Sequence, residues 1–232
     1  NSSPVKIVMS IYSNHNWFIW KFKIVPKNNW KKKKFQKDYM DWLGKELGYT
    51  TMDDWYKISG LDIINNYGRN LFHYYSLIKL VTSVYPNYNW FIWMFECKME
   101  KDEWKKEKTQ KDYMNWLGKK LGYTTMEDWY KISCSDFKNN YGSTMLHKYN
   151  GIYKLLKRIF PDYNWLLWKF NKVGNEVWKK KKNHKEYIEW LGKELRYTTM
   201  DDWYKINQKD IYNNYGAGIL TKCYNGSPSQ FV

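Results

Sequence analysis

Three lysine runs recur along the chain, each directly after a tryptophan: "WKKKK" from Trp30, "WKKEK" from Trp104 and "WKKKK" from Trp178. Clustered ammonium groups bind phosphate oxygens without reading base sequence, and each contact releases condensed counterions from a nucleic acid. The runs supply Lys31, Lys32, Lys33 and Lys34, then Lys105, Lys106 and Lys108 around Glu107, then Lys179, Lys180, Lys181 and Lys182. Lys21, Lys23, Lys157, Arg158 and Lys169 complete the candidate nucleic-acid-binding set. The runs fall just before or at the start of the longest helix expected in each stretch. Cations there oppose the helix macrodipole by about 0.3–1 kcal/mol each, so folding alone does not ask for them. The competing reading is a solvated linker of lysine-biased composition.

Other chemistries find less support. Cys97, Cys134 and Cys223 each align with non-cysteine residues elsewhere in the chain, and there is no CxxC or HExxH spacing. We therefore expect no metal and no cofactor. His73 and His147 share a phase, but Lys222 stands at the third position, and a base missing from one copy makes a poor catalyst. No Ser/His/Asp pattern or phosphate-cradling glycine loop is present, so no catalytic residue is assigned. The recurrent acids Asp54, Asp128 and Asp202, and Asp62, Asp136 and Asp210, follow Thr, Ser or Asn by three residues. That spacing marks helix capping rather than acid–base work. Of the tryptophans, Trp42 and Trp55 and their copies read as core. Trp17, Trp20 and Trp30 and their copies, beside lysines, could instead stack on bases.

The elements that position these residues follow from an internal repeat. "MDWLGKELGYTTMDDWYKIS" starts at Met40, "MNWLGKKLGYTTMEDWYKIS" at Met114 and "IEWLGKELRYTTMDDWYKIN" at Ile188, in steps of 74 residues. "NHNWFIWKF", "NYNWFIWMF" and "DYNWLLWKF" recur ahead of them, and five tryptophan phases in three copies account for all 15 tryptophans. "NSSPVKI" and "NGSPSQF" share a phase, so the last residues read as the stub of a fourth copy. Apolar residues at Tyr39, Trp42, Leu43 and Leu47 predict a helix over about 35–47. Gly48 and Gly122 end it as C′ residues, and Arg196 breaks the pattern in the third copy. Two capped helices follow, the second closed by Gly68, Gly142 or Gly216. The Trp-x-x-Trp-x-Phe block reads as a short helix or irregular chain. The fold class expected is all-α: a tandem array of three similar small helical repeat units, at 1–75, 76–150 and 151–232, the last carrying the stub.

Composition narrows the partners. With 39 Lys+Arg against 23 Asp+Glu the chain carries +16, which favours an anionic partner. The three segments hold +6, +3 and +7, so the outer two should dominate contact with an anion. An aromatic content of 20% argues for a packed core rather than disorder. Three cysteines fit an intracellular, reducing compartment, and no apolar run reaches a membrane span, so no membrane partner is expected. The start at Asn1 fits a processed chain or a segment of a longer one.

The residues "DWLGKELGYTTMDDWYKI", "DIINNYG" and "VYPNYNWFIW" resemble a tandem repeat of proteins from giant DNA viruses of amoebae, also met in some fungal and algal sequences. The likeness covers nearly the whole chain; Ser13, where Tyr-Pro is expected, and Arg196 depart from it. The abundance of Lys, Asn, Ile and Tyr suits an AT-rich viral genome. The resemblance implies a virus factory or virion as the location and genome packaging as the setting. The function expected is non-enzymatic binding of nucleic acid, DNA ahead of RNA, mainly through phosphates. Two alternatives stand beside it: a protein-interaction or virion scaffold array, and an accessory module of a nuclease-like chain.

Overall fold

The computed structural model describes residues 4–97, 99, 102–170 and 177–231. Among them all regular structure is helical, with α-helices joined by short 3-10 helices and no strand. The chain forms two compact units, Asn1–Glu103 and Trp104–Val232.

The first unit contains α1 (Pro4–Ile11), α2 (Lys33–Glu46), α3 (Gly60–Asn65) and α4 (Leu77–Val84). The longest, α2, turns Gln36, Tyr39, Met40 and Leu43 inward, a helical stripe that meets Trp20, Trp30, Ile63, Leu71 and Leu80 in the core. It stops where the Gly48 N–H donates to the Lys45 carbonyl and the Tyr49 N–H to the Gly44 carbonyl, with Gly48 at φ +71. Arg196 takes the same left-handed turn at φ 57 in the third copy, so this stop does not require glycine.

The second unit holds α5 (Glu107–Lys120), α6 (Cys134–Asn139), α7 (Ser143–Lys148), α8 (Ile152–Ile159), α9 (Lys181–Glu194), α10 (Gln208–Asn213), α11 (Ala217–Cys223) and α12 (Pro228–Phe231). Tyr113, Leu117 and Phe137 are buried in its second-copy part. Tyr187, Leu191, Ile211, Leu220 and Phe231 pack together in its third-copy part.

The capping expected of the repeated acids is present at every copy. Thr51/Asp54, Thr125/Asp128 and Thr199/Asp202 form capping boxes on the 3-10 helices Met52–Lys57, Met126–Lys131 and Met200–Lys205. Ser59/Asp62, Ser133/Asp136 and Asn207/Asp210 do the same for α3, α6 and α10.

The role expected of Gly68, Gly142 and Gly216 is corrected. The left-handed residue that closes each helix is the preceding tyrosine: Tyr67 at φ 67, Tyr141 at φ 66 and Tyr215 at φ 64. Each glycine is needed for space instead. A Cβ on Gly68 would lie 2.2 Å from the Tyr39 hydroxyl, which donates to the Asn66 carbonyl at 2.9 Å. Tyr113 and Tyr187 approach Gly142 and Gly216 equally closely.

The tryptophan assignment is also corrected. Trp20, Trp30, Trp93, Trp104, Trp168 and Trp178 are all buried, so phases suspected of facing bases lie in the core. The Trp-x-x-Trp-x-Phe block is a single 3-10 turn at Ile19–Lys21, Ile92–Met94 and Leu167–Lys169. Its two tryptophans face opposite ways in the repeat. Trp168 packs on Tyr187 and Trp190 of its own copy, whereas Trp165 packs on Tyr130 of the copy before. In the first unit Trp20 meets Tyr39 and Trp42, and Trp90 meets Tyr56. The helix opening a copy likewise leans on the copy before it, α4 on α2 and α8 on α5.

Candidate nucleic-acid interface

Each lysine run springs from a clamped tryptophan. Trp30 is fully buried, and its carbonyl accepts from Gln36 Nε2 at 2.7 Å. Gln110 Nε2 holds the Trp104 carbonyl at the same distance, and His184 Nε2 bonds the Trp178 carbonyl. A buried indole on one side and the first turn of a long helix on the other leave the lysines between them no inward path. Lys31 to Lys34, Lys105, Lys106, Lys108 and Lys179 to Lys182 are all exposed.

The helices that follow begin without the usual device. Lys32, Lys106 and Lys180 occupy the N-cap positions of α2, α5 and α9, and at none of them does a side chain cap the helix. Each of these helices has 14 residues. The first turns of α2 and α9 contain no acid, while α5 has Glu107. The Glu107 carboxyl is held below its usual range by its bond to Lys111, with a smaller contribution from Arg158. Lys157 and Arg158 are exposed on α8, which packs on α5. Lys157 also sits over the Tyr153 ring at 5.9 Å. The matching positions on α4 are Thr82 and Ser83, so the first unit lacks this addition.

Other members of the set are placed differently. Exposed Lys21 lies over the Trp42 ring at 4.9 Å and the Phe18 ring at 5.0 Å, and Lys23 is exposed nearby in sequence. Lys31 reaches over the Tyr74 ring at 5.3 Å. Lys182 pairs with Glu186 across one helical turn at 3.6 Å, an exposed contact of small energetic weight. Lys169 is drawn inward: it donates to Glu127 at 3.4 Å and lies over the Tyr130 ring. Its position ties the third copy to the second rather than extending the lysine run. Lys27, exposed in the same 3-10 helix as Lys31, was outside the expected set; its spacing of four residues from Lys31 was the available signal.

Among the described residues no cluster of three or more His, Cys, Asp or Glu could hold a metal, and no helix is long and apolar enough to cross a membrane. The cysteines at 97, 134 and 223 are free thiols. Compared with known proteins, the chain matches no family model, no curated protein and no solved structure.

Proposed function

We propose that this protein is a non-enzymatic, basic helical-repeat protein that holds duplex DNA through its phosphates, its three sequence copies acting as a tandem array of interlocked units. The observation that carries the reading is the threefold recurrence of an exposed lysine run at an uncapped helix start. Backbone N–H groups and the positive end of the dipole favour an anion at a helix N-terminus, and the lysines add charge to the same place. With no anion present those lysines only oppose the dipole; with a phosphate bound, both contributions act together. The likeness to repeats of giant DNA viruses sets this binding in genome packaging.

The test is an eleven-site variant with every lysine of the three runs changed to glutamine, which leaves a formal charge of +5. Its helicity should be unchanged or slightly higher, because dipole-opposing charge is removed. Duplex binding should weaken alike for all sequences, and the salt slope should flatten by about 0.9 per lost phosphate contact. Gel shifts across a salt series against duplex, single-stranded DNA and RNA read both quantities. Unchanged affinity and slope in a folded variant would remove the lysine runs as the contact.

A further inference from the structure

The helix that carries the second capping box stops on a tyrosine in every copy. Tyr67, Tyr141 and Tyr215 sit at φ 67, 66 and 64. The glycine after each donates its N–H back to the carbonyl of Ile63, Phe137 or Ile211 at 2.8 Å. A stop of this kind puts one residue in the left-handed region, where glycine or asparagine is at ease and a bulky side chain is strained. Two asparagines precede the tyrosine in all three copies, so residue types suited to the turn stand next to it. The turn itself does not ask for tyrosine.

The strained position holds the ring at the surface. Tyr67, Tyr141 and Tyr215 are 52%, 50% and 52% exposed. These values agree although different segments flank each copy, so the exposure is a property of the repeat. Each ring leans on the tryptophan of the long helix, Trp42, Trp116 or Trp190, at centroid distances of 6.2, 6.4 and 6.3 Å and interplanar angles of 46°, 49° and 49°. One flank of the tyrosine is thereby fixed, and the rest stays open to solvent. An ammonium group stands beside two of these tryptophans: Lys21 Nζ lies 4.9 Å from the Trp42 ring and Lys120 Nζ 5.0 Å from the Trp116 ring. Beside Trp190, Lys157 and Lys193 line a cavity together with Asp162, Glu186 and Glu189, so the third position is the least cationic. The lysine runs begin on the same helices. Lys34, Lys108 and Lys182 each precede that tryptophan by eight residues, about 12 Å along the helix axis.

We propose that Tyr67, Tyr141 and Tyr215 are stacking platforms for the unpaired bases of single-stranded DNA. The proposal rests on the phosphate-binding reading and adds what lysines do not supply, a contact to the base itself. Every base has a π-face, so such a platform tolerates any sequence. In a duplex those faces are covered by the neighbouring bases of the stack, so the platforms engage a strand only where it is open. The nearby ammonium groups meet the phosphates of the same strand. The left-handed turn and the tryptophan behind each ring fix it before a base arrives, which lowers the ordering cost of binding. Trp20, Trp30 and their copies are buried and offer no such face, so the exposed tyrosines take the stacking role.

Fluorescence anisotropy of the full chain with three labelled probes of equal length tests the proposal: oligothymidylate, an abasic strand with the same phosphates, and a duplex. The wild-type protein should bind oligothymidylate more tightly than the abasic strand by about fivefold or more, the least expected of one stacked base. The triple variant Tyr67→Asn, Tyr141→Asn, Tyr215→Asn should keep its helicity, because asparagine accepts a left-handed φ. It should keep its affinity and salt slope for the abasic strand and the duplex, and lose the preference for oligothymidylate. Phenylalanine at the same three positions should retain that preference, since the ring and not the hydroxyl makes the contact. If the asparagine variant loses helicity, the triple glycine variant, unstrained at this φ, gives the same comparison. Oligothymidylate bound no better than the abasic strand, or a folded asparagine or glycine variant that keeps the preference, would overturn the platforms and leave the phosphate reading intact. A preference for oligothymidylate without salt-dependent binding of the abasic strand or the duplex would instead overturn the phosphate reading, with the platforms as the contact that remains.

Discussion

At the residue scale, each copy places a tyrosine hydroxyl where a Cβ on a neighbouring glycine would collide with it. Tyr39 spans the core to reach the Asn66 carbonyl, and the burial that surrounds it pushes its phenol well above the ordinary range. Gly68 makes room for it, and no rotamer of an added methyl escapes the contact. Gly68→Ala should therefore cost about 1–3 kcal/mol in urea unfolding of the full chain, as overpacking does. Gly48→Ala, with open space around its Cβ, carries only the cost of a positive φ, roughly 1 kcal/mol. Because Arg196 already holds that φ in the third copy, Gly48→Arg should fold too. If Gly68→Ala proved no worse than Gly48→Ala, the steric account of the Tyr39 contact would fail.

At the element scale, the capping boxes make stability depend on pH. The Asp54 carboxylate accepts from the backbone N–H of Thr51, the ammonium of Lys57 and the N–H of Thr50. These bonds, the Thr51 amide first, hold its pKa far below the ordinary value of 3.8. Asp128 and Asp202 are lowered in the same way, with Lys131 and Lys205 the largest causes. A carboxyl depressed in the folded state contributes stability that is complete above its ordinary pKa and is lost as pH falls toward the folded value. The triple variant Asp54→Asn, Asp128→Asn, Asp202→Asn should be less stable at neutral pH. It should also lose less stability than the wild type between neutral pH and about pH 3, as read by thermal unfolding. The neighbouring box on α3 has a different readout: Ser59→Ala removes the bond from the Asp62 N–H and should cost about 1 kcal/mol.

At the scale of the whole molecule, copies are joined by aromatic rings that belong to one copy in sequence and pack against another. Trp165 is buried on Tyr130, while Trp17, at the same phase, meets His15 and Phe22 of its own turn. Trp165→Ala should therefore cost about 3–5 kcal/mol and Trp17→Ala well under half of that, compared by urea unfolding. Equal costs would mean that the junction adds nothing to stability. The sequence by itself determined the helical class, through the i, i+3, i+4 stripe around Tyr39 and Leu43. It also determined the capped starts at Thr51 and Ser59 and the helix stop at Gly48, because each of these is a local backbone device readable within a few residues. It located the lysine runs and their helix starts for the same reason. Only the tertiary structure decided that Trp20 and Trp30 are core, that Gly68 yields space to Tyr39, and that Lys169 serves a junction. Those outcomes depend on partners 9 to 42 residues away, such as Tyr39 for Trp30, Gly68 for Tyr39 and Glu127 for Lys169, and residue spacing along one segment carries no record of them. The tyrosine of Asp-Trp-Tyr shows this most plainly: the same local sequence is buried at Tyr56 and Tyr130 and exposed at Tyr204, because burial there is conferred by the copy that follows.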